Sequence, residues 1–469
     1  MKIKLTLLSC LAFWGTTVLA QQQSQQPAAY IFNLDECIKY AHEHQSQVLN
    51  AQLDQQIAAA KVKETIGIGL PQVNGTLSFQ DYIKSPVILF PNFQYSTYKV
   101  LEDEKVKNGD GNTISIPPDV QPVLEASFQQ KYNAAAGVQL NQLLFDGQYL
   151  IGLKATNVYK ELSSKNTSRT KIETAVAVSK AYYSTLVTVE RLKLLTANIE
   201  RLQKILEETQ AMNKNGFVEK IDVDRLSVQL NNLKTEKAKF DRLSVVNEYM
   251  LKFQMGMPIN DQLKLKDEIA TIQFEPVQVQ DTLNVTNRIE YSLLETQKHL
   301  SELDLKRNKV AVLPSVGGFA TYNTSFQNPI AASLFDKAYP TFLVGLQINV
   351  PIFSGGQKKQ RINQAKYALQ QVENQMVNVK NGLALENKSA NIVYANSLES
   401  MENQKRNMEL AREILRVTKV KYSQGVGSSL EVTTAETDLK AAETNYIGAL
   451  YDALVAQVDL KKASGKFNY

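Results

Sequence analysis

The sequence predicts an α+β fold in which long coiled-coil helical hairpins are combined with four β-strands per chain. Long stretches without proline carry apolar residues at alternating spacings of three and four, which mark a coiled-coil seam. Four shorter stretches alternate apolar with polar residues, which is the period of a strand, and they lie near 72–83, 132–145, 314–325 and 341–352. These elements occur in the same order twice, so the chain is one structural unit used twice.

Composition excludes two classes of protein. A charged fraction of 21% and a mean hydropathy of −0.26 exclude a polytopic helical membrane protein. The net charge of +5 is spread along the chain without a basic block, which argues against a nucleic-acid partner. Beyond the N-terminal segment no run approaches the ~20 apolar residues that a membrane helix needs. Cys37 is the one cysteine outside that segment, so we expect no internal disulfide and a buried thiol on the first helix.

The N-terminus indicates export. Lys2 and Lys4 precede an apolar run over 5–18, and small residues follow that run, so we expect a signal peptide over 1–20. A second interpretation attaches a lipid at Cys10, although the apolar run before Cys10 is very short. An exported chain without a membrane helix is periplasmic, secreted, or held in an outer membrane by strands.

The first repeat spans 34–258 and follows an N-terminal tail over 21–33, whose glutamine-rich part over 21–29 we expect to be disordered or loosely held against the surface. The repeat opens with a helical pattern that ends near residue 66, where glycines and a proline follow. Five prolines between the two strands predict that 83–131 is one large loop. The proline-free stretch over 148–212 then predicts a helix on the order of 95 Å long.

The second repeat spans 287–464, after a linker or equatorial segment over 259–286 and before a C-terminal tail over 465–469. Its second strand matches that of the first repeat with a constant offset of 208 residues, from Gly137 to Gly345 and from Gly147 to Gly355. The seam of the first hairpin comprises Leu192, Leu195, Ile199, Leu202, Leu206 and Thr209, and continues after the tip with Val223, Leu226, Leu230 and Leu233.

Each repeat turns back on itself at a glycine. The helical pattern ends at Gly216 in the first repeat and at Gly425 in the second, and glycine accepts the left-handed conformation that ends a helix. An acidic residue follows six positions later in both, Asp222 and Glu431. We therefore expect two equivalent hairpin tips, near 213–222 and 422–431.

Four strands cannot close into a barrel, and in a bilayer an open sheet leaves backbone groups unpaired at its edges. Three copies of the chain would supply twelve strands, an allowed even number for a closed barrel. Gln139 and Asn141 in one strand, and Gln347 and Asn349 in another, would then face a wet lumen. The long helices exceed the ~30 Å of hydrocarbon and would extend out of the membrane as a helical tube. The sequence thus predicts a homotrimer embedded in outer-membrane lipid.

Three motifs occur in both repeats. They are Leu-Pro-x-Val before the first strand, Phe-x-Gly after the second, and a glycine followed six residues later by an acid at the tip. With these motifs the chain resembles the TolC family of outer-membrane efflux channels over essentially its whole mature length. The resemblance implies a trimer with a twelve-stranded β-barrel in the outer membrane and a twelve-helix α-barrel across the periplasm. It also implies a passive duct that works with a periplasmic adaptor (membrane fusion) protein and an inner-membrane pump.

The resemblance also implies a periplasmic gate at the tips. Asp222 and Glu431 match the acids that ring the channel axis, where three symmetry-related carboxylates would favour passing cations. Tyr422 matches a residue that hydrogen-bonds to the neighbouring hairpin, here to Asp222. The sequence departs from the family at Thr434, in place of a second acid, and at Arg225 in the first repeat. A simpler interpretation stays open, in which the acids favour the start of a helix and Tyr422 is a seam residue.

The turn residues of the tips are the candidate docking surface for the adaptor, although they can equally be ordinary turn residues. They are Asn215, Gly216, Phe217, Gly425, Val426 and Gly427. Gly427 stands where the best-known family member has a basic residue.

No catalytic constellation or cofactor motif is visible. His42, Glu43 and His44 point to different faces of a helix and do not suit one metal ion. We expect neither an enzyme nor a metal site. One alternative is the outer-membrane outlet of type I protein secretion, and another, of a different class, is a periplasmic coiled-coil adaptor or spacer.

Overall fold

The computed structural model describes residues 29–127, 129–276 and 285–467. The expected signal peptide over 1–20, the alternative lipid site at Cys10 and the first part of the tail lie outside the described residues.

Eight strands and eight α-helices occur in the described residues, with three short 3₁₀ turns between them. The strands are β1 (Ala29–Phe32), β2 (Gln72–Asp81), β3 (Ile88–Pro91), β4 (Val123–Ala126), β5 (Tyr132–Phe145), β6 (Gln262–Leu265), β7 (Ser315–Asn328) and β8 (Ala338–Asn349). The helices are α1 (Leu34–His44), α2 (Ser46–Ile68), α3 (Phe93–Asp103), α4 (Gly147–Lys214), α5 (Lys220–Met255), α6 (Ile289–Val310), α7 (Gln357–Ser423) and α8 (Ser429–Ala463). The fold is α+β, and its two long helices have nearly equal lengths of 68 and 67 residues, as the duplication predicts.

The chain divides into two compact units, which we describe separately. The helical unit takes the described residues of Met1–Leu53, Asn166–Glu290 and Lys380–Tyr469. The sheet unit takes the described residues of Asp54–Lys165 and Tyr291–Val379.

The main core of the helical unit lies among α1, α4, α5 and α8. Its fully buried side chains include Tyr182, Leu251, Met255 and Leu454. Cys37 is also fully buried there, which confirms the prediction for this residue, and burial raises the pKa of its thiol to about 12. A protonated, enclosed thiol is chemically inert, so Cys37 has a packing role.

The described part of the N-terminal tail contains a strand that the sequence did not predict. Ala29–Phe32 forms β1, which pairs in parallel with β6 from the expected linker, so that Tyr30 lies opposite Leu263. Asn33 then caps α1, because its side chain accepts a hydrogen bond from the Glu36 backbone while the Glu36 carboxylate accepts one from the Asn33 backbone. Aromatic side chains of β1 pack against the core, and this long-range burial orders the segment.

The main sheet of the sheet unit is antiparallel and has the strand order β2-β5-β7-β8. Its strands overlap the four stretches predicted from the alternation. In the described part of the chain β2 pairs only with β5 and β8 only with β7, so each outer strand has one free edge.

The register gives this sheet two different faces. Directly opposed residues share a face, as in Leu77–Ala136 and Tyr322–Phe342. The apolar face carries Val73, Leu77, Phe79, Ala134, Ala136, Val138, Leu140, Ala320, Tyr322, Phe326, Phe342, Val344, Leu346 and Ile348. The opposite face carries Gln72, Asn74, Thr76, Ser78, Asn133, Gln139, Asn141, Thr321, Asn323, Ser325, Thr341, Gln347 and Asn349. Gln139, Asn141, Gln347 and Asn349 therefore share one face, as the alternation predicts.

The prediction of a single large loop over 83–131 was wrong. The segment contains β3, α3 and β4, and β3 pairs with β4 so that Leu89 lies opposite Glu125. The Asn92 side chain caps α3 by accepting from the Gln94 backbone, and it donates to the carbonyl of Gln121 at 2.8 Å. The prolines that suggested a loop are accommodated at a strand end and in the turns, while these local hydrogen bonds support a small folded insert. The residues that the structure describes therefore contain four short strands in addition to the four of the main sheet.

Candidate channel gate at the helical tips

The first tip, in the helical unit, ends in a complete Schellman motif. After α4 ends at Lys214, Gly216 adopts a φ of +79°, the left-handed conformation predicted for it. The Phe217 backbone N–H donates to the Met212 carbonyl at 3.0 Å, and the Gly216 N–H donates to the Asn213 carbonyl at 3.0 Å. These bonds satisfy carbonyls that the end of the helix would otherwise leave unpaired.

The second tip repeats the motif of the first. Gly425 has a φ of +77°, the Val426 N–H donates to the Lys421 carbonyl at 3.0 Å, and the Gly425 N–H donates to the Tyr422 carbonyl at 3.0 Å. The prediction that glycine ends both long helices in the left-handed conformation is confirmed.

The two candidate gate acids occupy the third helical position after each tip. Ser428 caps α8 by accepting a hydrogen bond from the Glu431 backbone at 3.2 Å, whereas Glu219 makes no side-chain cap at the start of α5. An Asp222 carboxylate oxygen lies 3.7 Å from an Arg225 guanidinium nitrogen. Both acids thus lie in a first helical turn, where a negative charge is favoured. Asp222 is half-buried and Glu431 is exposed.

Tyr422 hydrogen-bonds across to the first hairpin, but its partner differs from the one expected. Its hydroxyl lies 3.3 Å from the Thr209 hydroxyl of α4, while Asp222 is paired with Arg225. The ring packs on a group of apolar side chains that we call the tip cluster. The tip cluster comprises Leu195, Leu202, Ile205, Leu206, Leu226, Leu230, Leu233 and Val432, with Ile199, Val223, Phe240 and Tyr422 at its margin. Tyr422 is therefore both a packing residue and a contact between the hairpins.

The other candidate residues lie at the surface of the tips. Thr434 is exposed, and its hydroxyl donates to the Leu430 carbonyl of the same helix at 2.9 Å. Phe217 and Val426 are the most exposed apolar side chains of the two tips, at 80% and 79%. Gly427 is half-buried, and a Cβ atom there would lie 3.2 Å from the Tyr422 backbone nitrogen. A basic side chain at this position would crowd the second tip.

Among the described residues no group of three His, Cys, Asp or Glu side chains could hold a metal ion. His42 Nε2 lies 3.1 Å from the Lys171 carbonyl, and His44 Nδ1 lies 2.9 Å from the Tyr40 carbonyl. A search of the same residues finds no helix with the length and apolar character needed to cross a membrane.

Comparison with known proteins gives consistent relatives. The sequence profile of the family described as outer membrane efflux protein matches residues 295–466. TtgC of Pseudomonas putida, a probable efflux pump outer membrane protein, is 24% identical over 371 residues, which cover 76% of this chain and 74% of TtgC. The outer membrane protein TolC of Vibrio cholerae is 21% identical over 71% of this chain and 76% of its own length.

The chain is similar in sequence to outer membrane efflux proteins of the TolC family. Other relatives include the alkaline protease secretion protein AprF of Pseudomonas aeruginosa, 21% identical over 70% of this chain and 69% of AprF. The solved structure of CusC superimposes with a TM-score of 0.71 at 16% identity, covering 94% of this chain and 95% of CusC. The chain is therefore an outer-membrane channel for efflux or export, and it is not an enzyme.

Sequence reasoning missed a group of four polar residues between the two hairpins, three of which are buried. Asn198 donates from its amide to a Glu443 carboxylate oxygen at 2.7 Å, and Arg201 Nε donates to both carboxylate oxygens of Glu436 at 3.1 Å. The Arg201 guanidinium also donates to the Asn198 side-chain oxygen. We call Asn198, Arg201, Glu436 and Glu443 the polar cluster.

A signal for the polar cluster exists in the sequence. Glu436 and Glu443 are one heptad apart, and Asn198 and Arg201 are three apart within a stretch of seam residues, so each pair lies on one side of its helix. The two glutamates are only 8% and 4% exposed. Burial raises the pKa of Glu436, and Arg201 and Lys419 oppose that shift without reversing it.

Proposed function

We propose that three copies of the chain close into a twelve-stranded barrel in the outer membrane, continued by a twelve-helix α-barrel in the periplasm. The observation that carries the proposal is the two-faced sheet with a free edge on β2 and another on β8. The copies would form a passive duct for efflux, opened by partner proteins and supplying no energy of its own.

The free edges favour assembly because a bilayer contains no water to pair with them. Each unpaired backbone group in hydrocarbon costs several kcal/mol, so an isolated four-stranded sheet is strongly disfavoured there. Pairing β2 of one copy with β8 of the next removes both edges. The apolar face, where Leu77, Phe342 and Leu346 are exposed in a single chain, would then meet lipid, and the polar face would line the lumen.

The number of copies follows from the width that a duct requires. Two copies would supply a barrel of about eight strands, and side chains fill the interior of a barrel of that size. Three copies supply twelve strands, which leave room for solutes. The proposed assembly is accordingly a homotrimer with its strands in contact with outer-membrane lipid.

We place the gate of the duct at the helical tips. Three copies of Glu431 and of Asp222 around one axis would form rings of carboxylates that attract cations and repel anions. Glu431 is the stronger candidate because its side chain is exposed, whereas Asp222 is half-buried beside Arg225. Tyr422 and its contact with Thr209 would limit the separation of the hairpins, and Thr434 would extend the rim without adding charge.

The partners proposed are a periplasmic adaptor protein and an inner-membrane pump. TtgC carries the description of an efflux pump outer membrane protein, which supports a pump partner for this chain. Phe217 and Val426 are the most exposed apolar side chains of the two turns, so they suit an adaptor with apolar contacts at its end. Asn215, Gly216, Gly425 and Gly427 would complete that surface.

The assembly is tested with the purified full chain in detergent and in planar bilayers. We expect the mass of a trimer by light scattering, retention in outer membranes after a carbonate wash, and discrete conductance steps in potassium chloride. A strictly monomeric, folded protein that is washed off by carbonate and conducts no ions would contradict the proposal and would favour a periplasmic spacer instead.

Type I protein secretion is the second candidate function, favoured by the similarity to AprF, an alkaline protease secretion protein. The same duct would then pass unfolded polypeptide. Deleting the gene and measuring intracellular dye retention alongside the secreted proteins separates the two functions. A loss of secreted protein without a change in dye retention would assign this chain to secretion.

A further inference from the structure

We propose that Arg201 is a positioning residue of the channel: by neutralising the buried carboxylates of α8, it holds the second hairpin against the first and keeps the duct closed. The inference deepens the proposed function and rests on it. It places a determinant of closure in the polar cluster, whose glutamates lie about one to three helical turns after Glu431 on α8.

The polar cluster connects the two hairpins directly. Asn198 and Arg201 belong to α4 of the first hairpin, and Glu436 and Glu443 belong to α8 of the second. The Arg201 guanidinium contacts both Glu436 oxygens and also the amide oxygen of Asn198, which in turn donates to Glu443. Any movement that separates α4 from α8 at this level must break the bonds from Arg201 to Glu436 and the bond from Asn198 to Glu443 together.

The surrounding charges leave Arg201 as the principal partner of Glu436. Lys419 Nζ, on α7, lies 3.8 Å from a Glu436 oxygen, beyond hydrogen-bond distance. Arg412, also on α7, lies 4.0 Å from Glu443 and is mostly exposed. Lys440 is paired with Glu236 of α5 at 2.5 Å, and Arg191 lies 3.4 Å from the same carboxylate.

A groove that is partly open to solvent lies beside the polar cluster. It has a volume of about 280 Å³, adjoins Glu436 and is lined by Asn198, Leu202, Gln229, Thr437 and Lys440 among others. The Gln229 side-chain oxygen is buried there and has no hydrogen-bond partner. Water in this groove can therefore reach the polar cluster once its hydrogen bonds are lost.

The chemistry makes Arg201 more important than either carboxylate alone. Removing the Arg201 cation leaves the buried Glu436 carboxylate with Lys419 at 3.8 Å as its remaining cation, which is unfavourable, and the carboxylate regains water if α8 moves away. Removing the charge of Glu436 instead leaves Arg201, which is partly exposed and can be hydrated in place. The loss of Arg201 should therefore open the duct, and the additional loss of the Glu436 charge should close it again.

The test measures open probability in planar bilayers in potassium chloride, using the full chain as a purified trimer. Arg201→Gln should raise the open probability about tenfold, the ratio that corresponds to about 1.4 kcal/mol. The double variant Arg201→Gln/Glu436→Gln should return to within about twofold of the wild type. Arg416→Gln is the matched control, because it removes an arginine whose partner, Glu413, lies on the same helix and on the surface. This control should leave the open probability unchanged.

Lys419→Gln provides a second variant with less effect on folding, and it should raise the open probability in the same direction by a smaller factor. The inference is overturned if Arg201→Gln and Lys419→Gln are both as closed as Arg416→Gln, or if the double variant is as open as the single one. If the Arg201→Gln protein does not fold, a Lys419→Gln channel with the open probability of the wild type is sufficient to overturn the inference.

The outcomes for the proposed duct are separate. If the wild-type chain conducts and the Arg201 variants show no effect, the inference fails and the proposed duct stands. If the wild-type chain never conducts, the inference and the proposed duct both fail.

Discussion

The Tyr422 hydroxyl of the second hairpin lies 3.3 Å from the Thr209 hydroxyl of the first. Thr209 is fully buried, and the Tyr422 ring packs at the margin of the tip cluster, so one side chain contributes both a hydrogen bond and apolar contact between hairpins. The pair joins positions 213 residues apart in the sequence, immediately before the two turns.

Tyr422→Phe should remove the hydrogen bond and keep the packing. We expect a loss of about 1 kcal/mol in unfolding free energy, because a neutral hydrogen bond contributes that much on average. Denaturant titration of the detergent-solubilised protein measures the change. Tyr367→Phe, at an exposed tyrosine, serves as the control and should be neutral. A Tyr422→Phe protein as stable as this control would show that the hydroxyl contributes nothing between the hairpins.

Glu431→Gln should reduce the cation preference of the channel. The substitution removes three carboxylates from the proposed ring and keeps the size of the side chain, so the reversal potential in a salt gradient should move toward that of an unselective pore. Glu399→Gln removes the same charge at an exposed position on α7, away from the tips, and should leave selectivity unchanged. If Glu431→Gln selects cations as the wild type does, Glu431 does not line the conducting path.

Acid should destabilise the helical unit through Glu290. Burial alone would raise the pKa of Glu290, but Arg288 outweighs burial through hydrogen bonds at 2.9 Å and 3.0 Å, so the net direction is downward. A carboxyl group whose pKa is lowered in the folded state stabilises the fold at pH values above the ordinary titration range of that group. This contribution is lost as the pH falls through the pKa of the folded state.

Glu290→Gln should therefore cost about 2 kcal/mol at neutral pH, as hydrogen bonds to charged groups do, and less in acid. Thermal melting between about pH 7 and about pH 3 measures the difference across the range where glutamates titrate. Glu399→Gln again provides the control. A stability difference that does not shrink in acid would contradict the assignment to this ion pair.

Acidification should favour the closed duct through Glu436. Burial raises the pKa of Glu436 where it contacts Arg201, and separation of α8 from α4 would return that carboxyl to water and to a lower pKa. A proton binds more tightly to the state in which the pKa is higher, so acid favours the state with Glu436 buried. The charged groups around it are Arg201, Lys204 and Glu208 on α4, Glu236 on α5, Arg412 and Lys419 on α7, and Lys440 and Glu443 on α8.

Open probability should consequently fall between about pH 7 and about pH 5, above the ordinary titration range of glutamate. Glu436→Gln should abolish most of that dependence, since it removes the titrating group and keeps the polar contact. A pH profile identical in Glu436→Gln and the wild type would assign the dependence to other groups.

Local patterns in the sequence were sufficient for the repeating parts of the fold. The left-handed glycines Gly216 and Gly425, the seam residues such as Leu202 and Leu226, and the two-faced strands all depend on near neighbours and on a period, which a single sequence displays. The same local signals placed the candidate gate residues at the tips.

The insert and the first strand were not predictable in this way. β1 is ordered by pairing with β6, and α3 is held by a hydrogen bond from Asn92 to Gln121. A run of prolines in a sequence indicates a loop. In this segment their effect depends on which backbone groups are hydrogen-bonded to distant residues, and the sequence pattern does not show those bonds.

The sequence by itself determined the duplication, the position of the tips and the amphipathic sheet, because each of these is a periodic or local property of the chain. Only the tertiary structure decided that Tyr422 contacts Thr209, and that Arg201 and Asn198 bind the carboxylates of α8. These contacts join residues more than two hundred positions apart. Their formation depends on how two separate hairpins pack, and no local pattern specifies that packing.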